Sequence, residues 1–151
     1  MLSGAYIGTD VWGEGIYPVQ KTPEWREQSQ AFVQEVLGYK WMTDHGCYNG
    51  RIEPVSFKEL NLKSIKRPFE FHQSLNTAIY CVENPDGIQP AGKEGSVFLR
   101  YSDNGVPAAV AYDAKGYRAV SFGFPLEVIK DADILEAIVQ KSLEYISDKK
   151  K

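Results

Sequence analysis

Three β-prone runs in the C-terminal half constrain the fold of this chain more than any other feature. They cover residues 97–101, 108–112 and 117–122. A Ser-Asp-Asn-Gly run at 102–105 separates the first two, and an Asp-Ala-Lys-Gly run at 113–116 separates the last two. Both runs are rich in turn-forming residues. Because connections this short join neighbouring antiparallel strands, the spacing predicts a three-stranded meander.

Two amphipathic helices are predicted outside the meander. Thr22 followed by Pro23 is typical of an N-cap and a first helical turn, and Gly38 suits a left-handed C-cap. Asp131 or Asp133 would cap the second helix. The apolar faces at helical spacing comprise Trp25, Phe32, Val33, Val36 and Leu37 in the first helix and Ile134, Leu135, Ile138, Val139 and Ile146 in the second.

Shorter extended segments are predicted between these elements. They lie at 39–43, 51–55 and 75–82, and the last is ended by the turn signature Asn-Pro-Asp-Gly at 84–87. The stretch 58–73 has no clean period and is interpreted mostly as loop.

The run at 3–10, Ser-Gly-Ala-Tyr-Ile-Gly-Thr-Asp, has the pattern of a tight strand-to-helix elbow. Gly4 and Gly8 flank Tyr6 at the spacing of a Gly-x-nucleophile-x-Gly turn. A phenol with a pKa of about 10 is a poor nucleophile at pH 7. We therefore expect an elbow that lacks its nucleophile. The chain begins at this elbow, and we expect the buried strand that should feed it to be missing.

The elbow run and the Gly-Phe-Pro-Leu-Glu-Val-Ile run at 123–129 together resemble the class I glutamine-amidotransferase-like domain of secreted bacterial proteins labelled xanthan lyase. The runs at 32–41 and 84–88 fit the same pattern. The resemblance implies an α/β fold: a partial flavodoxin-like three-layer sandwich with a C-terminal antiparallel meander and a terminal helix. It implies a single domain over 1–151 that is truncated, because only the C-terminal half of the family domain is matched.

Active members of that family place Cys at the elbow centre and His-Pro-Glu on a later turn. By position, the resemblance puts Tyr6 at the Cys and Phe124 at the His, and leaves Glu127 as the carboxylate. Cysteine catalysis needs a thiolate and a base. The resemblance therefore implies a pseudoenzyme without catalytic residues or cofactor: a non-catalytic accessory or interaction domain of a secreted polysaccharide-processing protein. It implies a secreted or cell-envelope location, although no basic start with an apolar h-region follows Met1 and no signal peptide is expected in this sequence.

The residues leave a second function open, that of an enzyme acting on polysaccharide as a lyase or hydrolase. Asp10, Asp44 and Glu127 are the candidate carboxylates, since glycoside hydrolysis uses two carboxyl groups about 5–10 Å apart. A Cys47–His72 pair is the candidate nucleophile and base.

Capping is the alternative role for these carboxylates. In that role Glu127 would accept backbone N–H bonds beside Gly8 and Thr9.

Aromatic residues around the elbow are the candidate contacts to a ligand, because aromatic faces stack on sugar rings. The group consists of Trp12, Tyr17, Trp41 and Tyr48. Trp12 and Tyr17, with Asp10 and Glu127, form the predicted ligand-binding set. Packing in the core or against another domain is the alternative for the aromatic members.

A metal site is not predicted. His45, Cys47, His72 and Cys81 could supply four zinc ligands, but their spacing matches none of the paired ligand patterns. His45 is interpreted as a surface-loop residue. Cys81, in the apolar run 78–82, is interpreted as a buried free thiol.

Charge and hydropathy limit the partners. A net charge of -3 argues against nucleic-acid binding. The basic residues Lys58, Lys63, Lys66 and Arg67 are interpreted as a solvated face. No apolar run approaches the roughly 20 residues of a membrane span. The expected partners are a glycan or a neighbouring domain, and a second copy of the chain at the sheet edge that the missing strands would leave open.

Overall fold

The computed structural model describes residues 1–12, 21–65, 68–74, 79 and 81–148. The strands in this part of the chain are β1 (Leu2–Ser3), β2 (Tyr39–Thr43), β3 (Arg51–Pro54), β4 (Phe69–Glu70), β5 (Gly87–Pro90), β6 (Gly95–Tyr101), β7 (Pro107–Ala114) and β8 (Tyr117–Phe122). The helices are α1 (Ile7–Trp12), α2 (Pro23–Phe32), which continues as a π-helix (Val33–Leu37), and α3 (Ala132–Ser147). A 3-10 helix covers Leu126–Val128. The fold is mixed α/β.

Six of these strands form one sheet in the order β1-β8-β7-β6-β3-β4. Only β1 and β8 pair in parallel, and the other neighbours are antiparallel. The predicted meander is confirmed as β6, β7 and β8. A second sheet consists of β2 paired antiparallel with β5.

The predicted caps of the two long helices are confirmed. The Thr22 hydroxyl accepts a hydrogen bond from the backbone N–H of Trp25 at 3.1 Å. Gly38 ends the π-helix at φ 76°, a conformation that glycine adopts without steric cost. The Asp131 carboxylate accepts hydrogen bonds from the amides of Asp133 and Ile134 at the start of α3.

Two hydrophobic clusters lie on opposite faces of the six-stranded sheet. Consecutive residues of β7 point to opposite faces, and Ala109 and Ala111 belong to one cluster while Val110 belongs to the other. Helix α3 contributes Ile138 and Tyr145 to the larger cluster. The smaller cluster consists of Val11, Val33, Tyr39, Ile88 and Val110. Helix α3 and the N-terminal helices therefore cover different faces of the sheet.

Several sequence expectations need correction. The elbow is fed by a strand, since β1 precedes it and pairs with β8 through Leu2 and Ser121. Gly87, expected in a turn, begins β5. The described part of the segment 58–73 is mostly loop, as predicted, with the two residues of β4 as its strand. The sequence predicts a strand at 75–82, but Ile79, Cys81 and Val82 do not belong to a strand. The other positions of this segment lie outside the described residues.

Candidate functional site

Tyr6 stands at a sharp bend between β1 and α1. Strand β1 ends at Ser3 and α1 begins at Ile7. Tyr6 has a φ of 63°, and it is the non-glycine residue with positive φ in the described part of the chain. A bulky residue in this left-handed conformation costs about 1–2 kcal/mol. The bend expected from the Gly-x-Tyr-x-Gly pattern is therefore present. Its central residue, Tyr6, is 39% exposed.

The first amides of α1 are bound by a carboxylate from a distant part of the chain. Asp86 Oδ2 accepts hydrogen bonds from the backbone N–H of Gly8 at 2.7 Å and of Thr9 at 3.4 Å. Asp86 Oδ1 accepts from the Thr9 hydroxyl at 2.6 Å and from Trp41 Nε1 at 3.1 Å. Asp86 is only 1% exposed. The carboxylate that caps the helix start is thus Asp86, whereas the sequence suggested Glu127 for this role.

Thr9 lies between two carboxylates. Its hydroxyl oxygen is 2.6 Å from Asp86 Oδ1 and 3.1 Å from Asp44 Oδ1. A hydroxyl carries one proton and can donate to one of these oxygens at a time. When both carboxylates are ionised, the Thr9 hydroxyl can donate to one of them only. Its oxygen then faces an oxygen of the other carboxylate with no proton between them.

Burial raises the pKa of Asp86, and the hydrogen bonds from Thr9, Gly8 and Trp41 oppose that rise. The carboxylate is turned inward and occupied by protein donors. It stabilises the elbow, and a ligand in solvent has no access to it.

Close packing of backbone fixes the position of Asp86. The Asp86 N–H donates to the Gly123 carbonyl at 2.8 Å, and the Tyr101 hydroxyl donates to the Asp86 carbonyl at 2.9 Å. A Cβ added at Gly123 would lie 2.0 Å from the Asp86 carbonyl oxygen. A Cβ added at Gly8 would lie 2.5 Å from Trp41 Cδ1. Glycine is required at both positions so that the two segments can meet.

Phe124, which the resemblance aligns with the catalytic His, is a core residue. It is 0% exposed. Its ring stacks on Phe71 at 6.0 Å and meets Tyr101 and Phe122 edge-on. A hydrocarbon ring in the core supplies no base, so the position aligned with the catalytic His carries none.

The two cysteines are free thiols. Cys47 is the buried one, at 1% exposure, and Cys81, expected to be buried, is half-buried. The Cys47 Sγ is directed to Asn49 Oδ1 at 3.5 Å and to the Arg51 carbonyl at 3.8 Å. Burial raises the pKa of Cys47, which lowers its thiolate fraction and disfavours the nucleophile expected of a Cys47–His72 pair.

The predicted ligand-binding residues lie on different elements. Asp10 is exposed on α1 and pairs with Lys21. Glu127 is exposed on the 3-10 helix. Trp12 is half-buried, with its ring 6.4 Å from that of Tyr39, and packs against the smaller core cluster. Tyr17 lies outside the described residues. Ligand binding by this set stays a prediction.

The remaining candidates divide between the network and the surface. Trp41 and Asp44 join the Asp86 and Thr9 network. Tyr48 is 73% exposed, and His45 is exposed with its Nδ1 3.5 Å from Asp44 Oδ2. Within the described ranges, no group of three or more His, Cys, Asp and Glu side chains is placed to hold a metal ion. Among those residues no helix combines the length and the apolarity that a membrane crossing requires.

An apolar groove lies beside the elbow, against the edge strand β1. Its volume is about 440 Å³. It is lined by Leu2, Ile7, Val11, Trp25, Gln28, Ser29, Phe32, Val33 and Leu37. Helix α2 buries none of its residues: Trp25 is 39% and Phe32 54% exposed. The apolar stripe predicted from the sequence is therefore real, but the fold leaves most of it open.

No family model, no curated protein and no solved structure matches this chain.

Proposed function

We propose that this chain is a non-catalytic interaction domain, of the flavodoxin-like glutamine-amidotransferase-like type, that serves a secreted or cell-envelope protein acting on polysaccharide. The elbow carries this proposal. Tyr6 occupies its centre in the left-handed conformation, and the amides of Gly8 and Thr9 are bound by the buried carboxylate of Asp86. An acyl-transfer site needs a nucleophile and a base in reach of each other. The phenol at Tyr6 and the buried ring of Phe124 support a site that binds without turnover.

Helix α2 supports an interaction role independently. Its apolar stripe and β1 line the groove described above, and none of the lining residues that the structure describes is charged. In a chain of net charge -3, an uncharged face is one that two copies can bring together without burying like charges. Strand β1 is also the end strand of its sheet. We propose a second copy of the chain as the occupant, in a two-fold symmetric contact.

Sedimentation velocity tests the self-association. Phe32→Lys places an ammonium on both sides of a symmetric contact, so the variant is expected to sediment as a monomer where the parent chain sediments as a dimer. Leu143→Lys is the matched control, because Leu143 is similarly exposed, at 50%, on α3. A parent chain that stays monomeric at high concentration contradicts the contact.

Titration of a glycan panel, followed by product analysis, tests the interaction role in polysaccharide processing. We expect saturable binding with no change in the glycan. Release of unsaturated uronic products, or of new reducing ends, would establish the lyase or hydrolase alternative instead.

A further inference from the structure

A cleft after strand β3 combines two lysines with polar and apolar side chains. Its volume is about 290 Å³. Its lining includes Ser56, Phe57, Lys58, Asn61, Leu62 and Lys63. Ligand pockets span about 300–1,000 Å³, so this cleft has the size for one small unit of a larger ligand.

Lys58 and Lys63 give the cleft its charge. Both are exposed, and neither has an ion-pair partner among the residues of the structure described above. Among the described residues of its lining there is no carboxylate, although the whole chain has a net charge of -3. Two lysines on the lining of one cavity, both without an ion-pair partner in the described residues, favour an anionic ligand.

The rest of the lining is ordered by local contacts. The Asn61 side chain accepts a hydrogen bond from the Lys63 amide at 3.0 Å, and the Ile65 amide donates to the Leu62 carbonyl at 2.9 Å. Phe57 packs edge-on against Tyr145 with ring centres 5.9 Å apart. The cleft therefore offers an aromatic and aliphatic wall together with hydroxyl and amide groups.

We propose that this cleft binds a uronate unit of an acidic polysaccharide. The ammonium groups of Lys58 and Lys63 would receive the carboxylate. Ser56 and Asn61 would hydrogen-bond ring hydroxyls, and the wall formed by Phe57 and Leu62 would face the apolar side of the sugar. This inference rests on the proposed function, for which it names the ligand class and the site.

Calorimetric titration with a tetragalacturonate tests the site. The double variant Lys58→Gln, Lys63→Gln is expected to bind about five- to thirtyfold more weakly, the effect of two partly exposed ion pairs. Lys93→Gln with Lys115→Gln is the matched control, since both lysines are exposed outside the cleft, and it should bind as the parent chain does. The affinity should also fall as salt is raised.

Three further probes separate the outcomes. The carboxyl-reduced tetrasaccharide should bind much more weakly than the acidic one, and equal binding overturns the uronate assignment. Inorganic phosphate or a triglutamate peptide that binds as tightly through the same lysines also overturns it. If both double variants still bind the acidic oligosaccharide as the parent chain does, the cleft is not the binding site, but the proposed function stands. Failure of acidic and neutral glycans alike to bind overturns both.

Discussion

Removal of the Asp86 side chain should destabilise the fold far more than removal of an exposed carboxylate. In Asp86→Ala the hydrogen bonds that the backbone of residue 86 makes with the Gly123 carbonyl and the Tyr101 hydroxyl remain, so the change tests the carboxylate alone. The Thr9 hydroxyl keeps Asp44 as an acceptor at 3.1 Å. The Gly8 amide at 2.7 Å, the longer Thr9 amide contact at 3.4 Å and Trp41 Nε1 lose their acceptor, and a buried donor without a partner costs about 1–3 kcal/mol.

Relief of the buried charge offsets part of this loss, because burial raises the pKa of Asp86 and thus disfavours its ionised form. We expect a net loss of about 2–4 kcal/mol in the free energy of unfolding. Urea denaturation followed by tryptophan fluorescence measures it. Asp103→Ala is the matched control: the Asp103 carboxylate also accepts a backbone amide, that of Tyr48 at 2.7 Å, but it is exposed, so about 1 kcal/mol or less is expected. A loss below 1 kcal/mol for Asp86→Ala would refute the role assigned to this carboxylate.

The same residue predicts a pH dependence. Because the folded pKa of Asp86 lies above that of an unfolded aspartate, about 3.9, the folded state holds the proton more tightly. The stability that this proton contributes is complete below the unfolded pKa and is lost as pH rises through the folded pKa. The difference in unfolding free energy between the parent chain and Asp86→Asn should therefore narrow as pH rises from about 4 to neutrality. A difference that widens over this range contradicts the raised pKa.

Three further variants or modifications test the packing around the elbow. Gly123→Ala should lower the free energy of unfolding, measured by urea denaturation, by about 3 kcal/mol, because the new Cβ would meet backbone that cannot move aside. Gly92→Ala is the control: only the end of a glutamate side chain is near, so a loss of less than about 1 kcal/mol is expected. Tyr6→Gly should be about 1 kcal/mol more stable than Tyr6→Ala, since both lack the ring and differ in their tolerance of positive φ; equal stabilities would contradict the left-handed backbone. In the folded protein iodoacetamide should label Cys81 well before Cys47, as read by peptide mass spectrometry, and the reverse order would contradict the burial of Cys47.

The parts of the fold that sequence predicts are those set by local chemistry. The meander follows from turn residues between β-prone runs, and the helix caps at Thr22 and Asp131 follow from side chains that bond amides two or three residues away. Strands β1 and β4 have two residues each, which is too short for a period of two to be recognised. Strand β5 contains Gly87 and Pro90, both residues of low strand propensity, and forms because β2 lies beside it.

The centre of the site is determined by contacts that no local pattern contains. Asp86 lies in an Asn-Pro-Asp-Gly run, where an aspartate is typical of a turn, and the amides it binds are 77 and 78 residues away in sequence. Thr9 gave no signal as a partner of Asp86 for the same reason, and Trp41 stood out only as an aromatic residue that could contact a ligand. Helix α2 shows the opposite limit: its apolar stripe is evident in the sequence, but the pattern cannot say whether this chain or a partner covers it.

Packing accounts for Gly8, one of the two glycines that make the elbow look catalytic. At Gly8 a side chain would meet the Trp41 ring at 2.5 Å and Asp86 Oδ2 at 3.1 Å, and Trp41 Nε1 donates to Oδ1 of the same carboxylate. At Gly4 a Cβ would meet the Ile7 side chain at 2.7 Å. Gly8 is therefore required by its neighbours whatever residue stands at the centre of the bend, whereas at Gly4 the end of the Ile7 side chain can move aside. Because Gly8 is fixed by these contacts and not by a nucleophile, it can persist with Tyr6 at the centre of the bend. The pattern is thus evidence for the shape of this segment, and the chemistry must be argued from the side chains that the shape presents.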